Sequence, residues 1–305
     1  MLKWLGWSLL ILLGVALLLA LGMYVTIRLV DRTNGTLVSG GETRRYLLYV
    51  PESYDPGTPT PLVISLHGLV QWPAHQQQLT GWNTLADEHG FIVVYPRGTG
   101  FPLRWRAGGR GTDPAPDIAY LSELIDALST EYAIDPDRIY VNGMSNGGGM
   151  SFVLSCALAD RIAAIGGVAG AYAYPWEACE PARPVPAIFF HGTADPIVPY
   201  GGGRLDVTEW PLPDIPAWVA EYARRNGCEP NPVTLEPRGA ASGVAYSGCA
   251  PAGAGGADVV FYTIADGGHT WPGGHPIPAI IAGPTNTDID ATRVMWAFFE
   301  QHPRR

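Results

Sequence analysis

With 305 residues, a hydrophobic share of 47% and a formal net charge of −9, the chain is long enough for one large α/β domain or two small ones. The acidic surplus leaves no electrostatic footprint for a nucleic-acid partner. Because it is spread along the chain, it reads as solubility rather than as a binding tail.

Residues 4–27, between Lys3 and Arg28, carry no charge and are rich in Leu, Ile, Val and Ala. As a helix such a run would extend ~36 Å, enough for a hydrocarbon core ~30 Å thick. A cleaved signal peptide has a shorter apolar region, about 7–15 residues, and a clear small-x-small cleavage site. Ala20-Leu21-Gly22 is a poor version of such a site. Residues 1–30 are therefore read as an uncleaved hydrophobic helix that anchors the chain, with a cleaved signal segment as the alternative. Residues 31–305 are read as one domain.

Residues 31–41 are polar and contain glycine, and are expected to form a short linker. Arg44 to Val50 alternates as a strand does, and Pro61 to Leu66 is a continuous apolar run of the kind buried on both faces of a sheet. It ends in His67-Gly68-Leu69-Val70-Gln71. Ala74–His89 has a helical pattern, and Phe91–Tyr95 is another buried strand. Residues 97–116 form a Gly-, Pro- and Arg-rich loop around Trp105; loops of this length are uncommon unless they serve a site. Ile118–Tyr132 reads as an amphipathic helix.

Next comes Ile139-Tyr140-Val141, a strand, then Gly143-Met144-Ser145-Asn146-Gly147, then an apolar helical segment from Met150 to Leu158. This is strand, sharp turn and helix, with a serine at the turn and a glycine two positions to either side. So tight a turn forces the serine into a strained backbone conformation, and larger flanking side chains would collide with the strand and helix. Strands at Ala163–Val168, Val185–Phe190 and Val259–Ile264 follow, with helices at Pro213–Asn226 and Thr287–His302. The segments around Cys228 and Cys249 are expected to be short and irregular. Strands alternating with helices imply an α/β fold, a mostly parallel sheet with helices on both faces. In that architecture sites collect at the carboxyl ends of the strands.

Cys156, Cys179, Cys228 and Cys249 are an even set without a Cys-x-x-Cys pair or a histidine at zinc-ligand spacing. Beside an export-type segment they are read as two disulfides, which puts the domain outside the cytoplasm. Four cysteines allow three pairings. The preferred one is Cys156–Cys179 with Cys228–Cys249, which closes local loops.

Attack by a serine hydroxyl needs a base to take its proton and an acid to orient that base. After Ser145, Asp195 lies just beyond one predicted strand and His269 just beyond the last, the chain order of serine hydrolases of this architecture. Of the seven histidines, only His269 follows both partners at a strand end. Asp266, on the histidine's own loop, is read as shaping the turn. The developing oxyanion needs two N–H donors. One is the amide of Asn146, after the serine, and the other is assigned to Leu69, with Gly68 letting the chain turn inward. His67 is read as structural. No His-x-x-x-His or His-Glu-x-x-His spacing occurs, so neither metal nor cofactor is expected.

Four motifs in this order resemble one family. They are His67-Gly68-Leu69-Val70-Gln71, Gly143-Met144-Ser145-Asn146-Gly147-Gly148, the run from His191-Gly192-Thr193-Ala194-Asp195 to Tyr200, and Gly268-His269-Thr270-Trp271-Pro272-Gly273. The chain resembles the polyhydroxybutyrate depolymerase-like esterases, which stand close to the feruloyl and acetylxylan esterases of carbohydrate esterase family one. The resemblance covers roughly residues 40–302. It implies an α/β-hydrolase fold, secretion, a triad of Ser145, Asp195 and His269, and a bond between Cys156 and Cys179. Neither a polymer-binding domain nor a threonine-rich linker is visible, which favours soluble or oligomeric esters, namely short hydroxyalkanoate oligomers and feruloyl or acetyl esters. Trp271 and Trp105 are assigned to the substrate pocket. A serine peptidase on the same fold and a non-catalytic binding protein are the alternatives. A membrane contact through residues 4–27 is expected if they are retained, and these motifs leave the oligomeric state open.

Overall fold

Continuous apolar runs form the middle of a ten-stranded sheet because both faces of those strands are covered. In the computed structural model, which describes residues 31–109, 112–205, 210–252 and 255–305, the six central strands run parallel. They are β3 (Thr60–Leu66), β4 (Ile92–Pro96), β5 (Ile134–Met144), β6 (Ala164–Val168), β7 (Ala187–Gly192) and β14 (Val259–Ile264), in the spatial order β4-β3-β5-β6-β7-β14. The expected 1–30 segment lies outside the described residues, among which no helix is long and apolar enough to cross a membrane.

Successive strand residues divide between two cores, as the two-residue period of a strand requires. Leu62, Ile64, Leu66, Ile92, Val94 and Val141 enter one core with α3 (Ala115–Glu131), α4 (Asn146–Ala157) and α5 (Ile215–Arg225). Val63, Val93, Tyr95 and Tyr140 enter the other, against α2 (Trp82–His89) and α7 (Ala291–Glu300). Helices therefore cover both faces, as the sequence implies.

The expected parallel centre is flanked by antiparallel edges, so the sheet as a whole is mixed. The expected linker 31–41 contains a strand, β1 (Gly35–Ser39), which pairs antiparallel with β2 (Glu42–Tyr49), and β2 pairs antiparallel with β4. On the opposite edge, β10 (Val233–Arg238) and β11 (Ala241–Tyr246) form an antiparallel pair added to β14. These are the segments expected to be irregular. Their order comes from pairing with a neighbour, not from a local apolar pattern: most of β10 is exposed.

The helix expected over Ala74–His89 is two helices, α1 (Pro73–Thr80) and α2, broken at Gly81. Gly81 has φ 67°, a left-handed conformation that glycine adopts without a Cβ penalty. Two disulfides, Cys156–Cys179 and Cys228–Cys249, match the preferred pairing. The first joins α4 to the segment before β7.

Candidate active site

Ser145 stands at the junction of β5 and α4 with φ 56° and ψ −119°, a backbone conformation that costs a non-glycine residue of order 1–3 kcal/mol. The neighbourhood holds it there. Its N–H donates to Val168 O at 2.9 Å, and its carbonyl accepts from Gly149 N and Ala171 N, each at 3.0 Å. The flanking glycines are steric necessities. A Cβ on Gly143 would lie 2.4 Å from the Gly147 carbonyl, and one on Gly147 would lie 2.2 Å from Leu66 O. The turn brings β5, β3 and α4 so close that only hydrogen fits between them.

Asp195 and His269 come from the ends of β7 and β14. His269 Nδ1 and Asp195 Oδ2 are 2.8 Å apart in a buried pair. The other carboxylate oxygen, Oδ1, accepts from the amides of Ile197 and Val198, each at 2.8 Å. His191 completes this cluster. Its Nε2 lies 2.9 Å from Val198 O and 3.4 Å from Asp195 Oδ2, so that nitrogen carries the proton and donates. Burial lowers the His191 pKa, with Asp195 as the main opposing influence. His191 precedes Asp195 in the chain, so chain order alone gives it no part in the site. Its spacing of four residues from Asp195 was the available signal.

Ser145 and His269 line one cleft, together with Leu69 and Asn146. Serine and imidazole meet there by shared lining, without a direct hydrogen bond between them among the described residues; in unliganded sites such bonds are often long and tighten on binding. Asn146 opens α4, so its N–H has no intrahelical acceptor. Leu69 N–H has no backbone acceptor among the described residues, whereas its neighbour Val70 N–H is taken by Leu103 O at 2.8 Å.

The long loop expected to serve the site is fastened to the serine turn. The Asn146 side chain grips the backbone of Trp105 from both sides: Oδ1 accepts from Trp105 N at 2.6 Å and Nδ2 donates to Trp105 O at 3.1 Å. Trp105 Nε1 donates to His67 O at 3.0 Å. His67 is itself buried, with Nδ1–H donating to Gly68 O at 2.7 Å and Nε2 accepting from Gly98 N at 3.0 Å. Burial pushes its pKa down to about 4. It is a neutral bracket between the ends of β3 and β4, as its structural reading requires.

The two tryptophans assigned to the pocket are not in it. Trp105 and Trp271 are both fully buried. The hydrogen-bonding capacity of Trp105 is spent on His67 and Asn146. Trp271 Nε1 donates to Thr292 Oγ1 at 2.9 Å, which ties the histidine's loop to α7. The cleft walls are aliphatic instead, with Val70, Ile197, Ile277 and Ile281 around Ser145 and His269 and Gln71 and Arg104 as polar members. Its volume is about 350 Å³. Isolated aliphatic residues in loops give no sequence signal that separates a pocket wall from packing.

Six parallel strands with helices on both faces, and an acid–base pair at the strand ends beside a serine turn, define the class as an α/β-hydrolase-like esterase fold. The acetyl xylan esterase from Aspergillus awamori shares this fold with TM-score 0.58 at 16% identity, over 84% of this chain and 93% of that one. Residues 44–199 match the family model described as Esterase PHB depolymerase. Putative esterase NocK of Nocardia uniformis subsp. tsuyamanensis is 30% identical over 275 residues, 83% of this chain and 78% of that protein. Feruloyl esterase B of Piromyces equi is 33% identical over 238 residues, 74% of this chain. The bifunctional acetylxylan esterase/xylanase XynS20E of Neocallimastix patriciarum is 38% identical over 160 residues, 52% of this chain. The chain spans only 42% of the Piromyces protein and 22% of the Neocallimastix protein. It belongs to the esterase family that the PHB depolymerase model describes.

Proposed function

We propose that the chain is a serine-dependent carboxylic ester hydrolase working outside the cytoplasm. Ser145 Oγ attacks the ester carbonyl while His269 takes the hydroxyl proton, and Asp195 holds the ring so that Nδ1 keeps its own proton and the other nitrogen faces the serine. The amides of Leu69 and Asn146 donate to the oxyanion of the tetrahedral intermediate. His269 then returns the proton to the leaving alcohol oxygen, and an acyl-serine remains. Water, deprotonated by the same imidazole, releases the acid and restores Ser145.

The observation that carries this reading is the convergence of Ser145, Leu69, Asn146 and His269, the last paired with Asp195, on one aliphatic cleft. That lining suits an acyl or alcohol group with a hydrocarbon or aromatic body. Short hydroxyalkanoate oligomers and feruloyl or acetyl esters are the proposed substrates, in keeping with the relatives' names. Two disulfides support a location outside the reducing cytoplasm. Residues 31–305 are the catalytic domain in this reading, and the uncharged stretch 4–27 its membrane anchor. Hydrolysis of p-nitrophenyl acetate by the full chain tests it. Ser145→Ala is expected to lower kcat by about 10⁴-fold or more, and an alanine variant with near wild-type turnover would reject the mechanism.

A further inference from the structure

Exposed large hydrophobic side chains are few, and their placement is uneven. Among the described residues, Val38 and Val233, 70% and 60% exposed, are on the edge strands β1 and β10, whereas Val70, Phe101, Ile280 and Ile281, 59%, 97%, 95% and 63% exposed, lie outside the sheet. Val70 and Ile281 line the cleft with Ser145 and His269. Phe101 is at the tip of a tight turn closed by the Thr99–Arg104 bridge, which Val70 N–H joins through Leu103 O. Ile280 is next to Ile281 on a short helical turn, Ala279–Ala282. Val70 and Ile281 thus line the cleft, and Phe101 and Ile280 stand on the same chain segments as its lining residues Arg104 and Ile281. Single exposed apolar residues mean little, but a cluster around a binding groove marks a contact surface.

The way the chain enters the domain identifies what that surface meets. Asp31, the first described residue, pairs with Arg97 at 2.8 Å. Arg97 follows the carboxyl end of β4, and the next residue, Gly98, donates its N–H to His67. The domain is therefore joined to the preceding chain at the strand edge where the cleft opens. Between the uncharged stretch 4–27 and Asp31 lie only residues 28–30, a tether of ~10 Å at full extension. If residues 4–27 lie in a bilayer, that reach keeps Asp31, and with it the carboxyl end of β4, near the membrane surface.

We propose that the cleft mouth rests on a zwitterionic phospholipid bilayer through Val70, Phe101, Ile280 and Ile281, and takes esters whose hydrocarbon part is dissolved in that bilayer. The four contact groups are uncharged, Arg104 is among the described residues the one cation in the cleft lining, and against a net charge of −9 a single cation gives little attraction to anionic headgroups. The aliphatic cleft wall continues the apolar path from the bilayer to Ser145. This rests on the ester-hydrolase reading above and on residues 4–27 acting as the anchor.

The test uses the full chain in phosphatidylcholine nanodiscs. Nitroxide labels are placed through Phe101→Cys, Ile280→Cys and, on the far sheet edge, Val233→Cys. Labels at 101 and 280 are expected to collide with lipid-soluble oxygen and be shielded from a water-soluble nickel chelate, and the label at 233 to do the reverse. Separately, in Phe101→Asp/Ile280→Asp, the ratio of turnover on bilayer-dissolved p-nitrophenyl palmitate to turnover on p-nitrophenyl acetate is expected to fall at least tenfold. Labels at 101 and 280 that report water would overturn the proposal. So would a chain that does not stay with the nanodisc, an unchanged ratio, or attachment of the rim to hydroxyalkanoate polymer particles but not to nanodiscs. The label measurement does not depend on turnover, and Ser145→Ala tests the ester-hydrolase reading by itself.

Discussion

The two halves of the cleft are held in place by different physics. On the serine side the turn itself is fixed by backbone: Ser145 is locked between Val168 O, Gly149 N and Ala171 N, with glycines packed against carbonyls at distances that admit no side chain. The histidine half is fixed by side chains, through a relay from His269 to Asp195 to the amides of Ile197 and Val198, with His191 alongside. A half built from backbone resists changes of chemistry and fails on changes of volume. One built from side chains should do the opposite.

The sharpest way to break that contrast is to change chemistry at constant volume in the histidine half. In Asp195→Asn, the amide carbonyl can still accept from Ile197 and Val198. Its NH₂ group would then face His269 Nδ1, and two donors cannot pair. The ring is driven to accept there and to carry its proton on Nε2, the nitrogen that takes the serine proton in the proposed mechanism. The expected loss is about 10⁴-fold in kcat on a soluble ester, with thermal unfolding nearly unchanged. If stability fell as steeply as turnover, the acid would be a structural pillar and the contrast would be lost.

Volume is the corresponding probe of the serine half. Gly147→Ala places a methyl 2.2 Å from Leu66 O and 2.6 Å from His67 O, and neither backbone atom can swing away. Overpacking costs about 1–3 kcal/mol, and contacts this short with backbone place it at the upper end. Urea unfolding is expected to show that loss, together with reduced turnover, because the same shift moves Ser145 and the Leu69 amide. An alanine variant with wild-type stability would mean that β3 and α4 are less tightly joined than these distances imply.

The same division explains what could be read from sequence. The parallel centre was legible because strands buried on both faces must be continuously apolar, as Pro61–Leu66 and Phe91–Tyr95 are. The serine turn was legible because glycine is the only answer to its crowding. The outer strands were not: β1 and β10 carry alternating or exposed residues, and their order comes from partners distant in the chain. The tryptophans misled for a related reason. A large aromatic next to a catalytic motif suggests a pocket wall, but Trp105 and Trp271 each have an indole N–H that is satisfied inside the protein, and so they serve as bolts. The aliphatic wall formed by Ile197, Ile277 and Ile281 could not be seen until three distant loops met.

The smallest effect falls on the bracket behind the serine half. His67 is neutral in the folded protein, with a pKa pushed down to about 4 by burial, whereas in the unfolded chain it titrates near the usual ~6.5. Below that value the unfolded state binds a proton that the folded state refuses, so the stability present above pH ~6.5 is lost as the pH falls toward 4. Between pH 7.5 and pH 5 this amounts to about 2 kcal/mol from His67, and burial of His75 and His191, which lowers their pKa values too, adds loss in the same direction. His67→Gln isolates the contribution, since its side chain can offer an acceptor to Gly98 N–H and a donor to Gly68 O but cannot titrate. Urea unfolding at the two pH values is expected to give a pH dependence smaller by about 2 kcal/mol in the variant, whatever its absolute stability. An equal dependence in both proteins would mean that His67 is protonated in the fold, with Gly98 N–H no longer donating to Nε2, and that the serine half too rests on a titratable side chain.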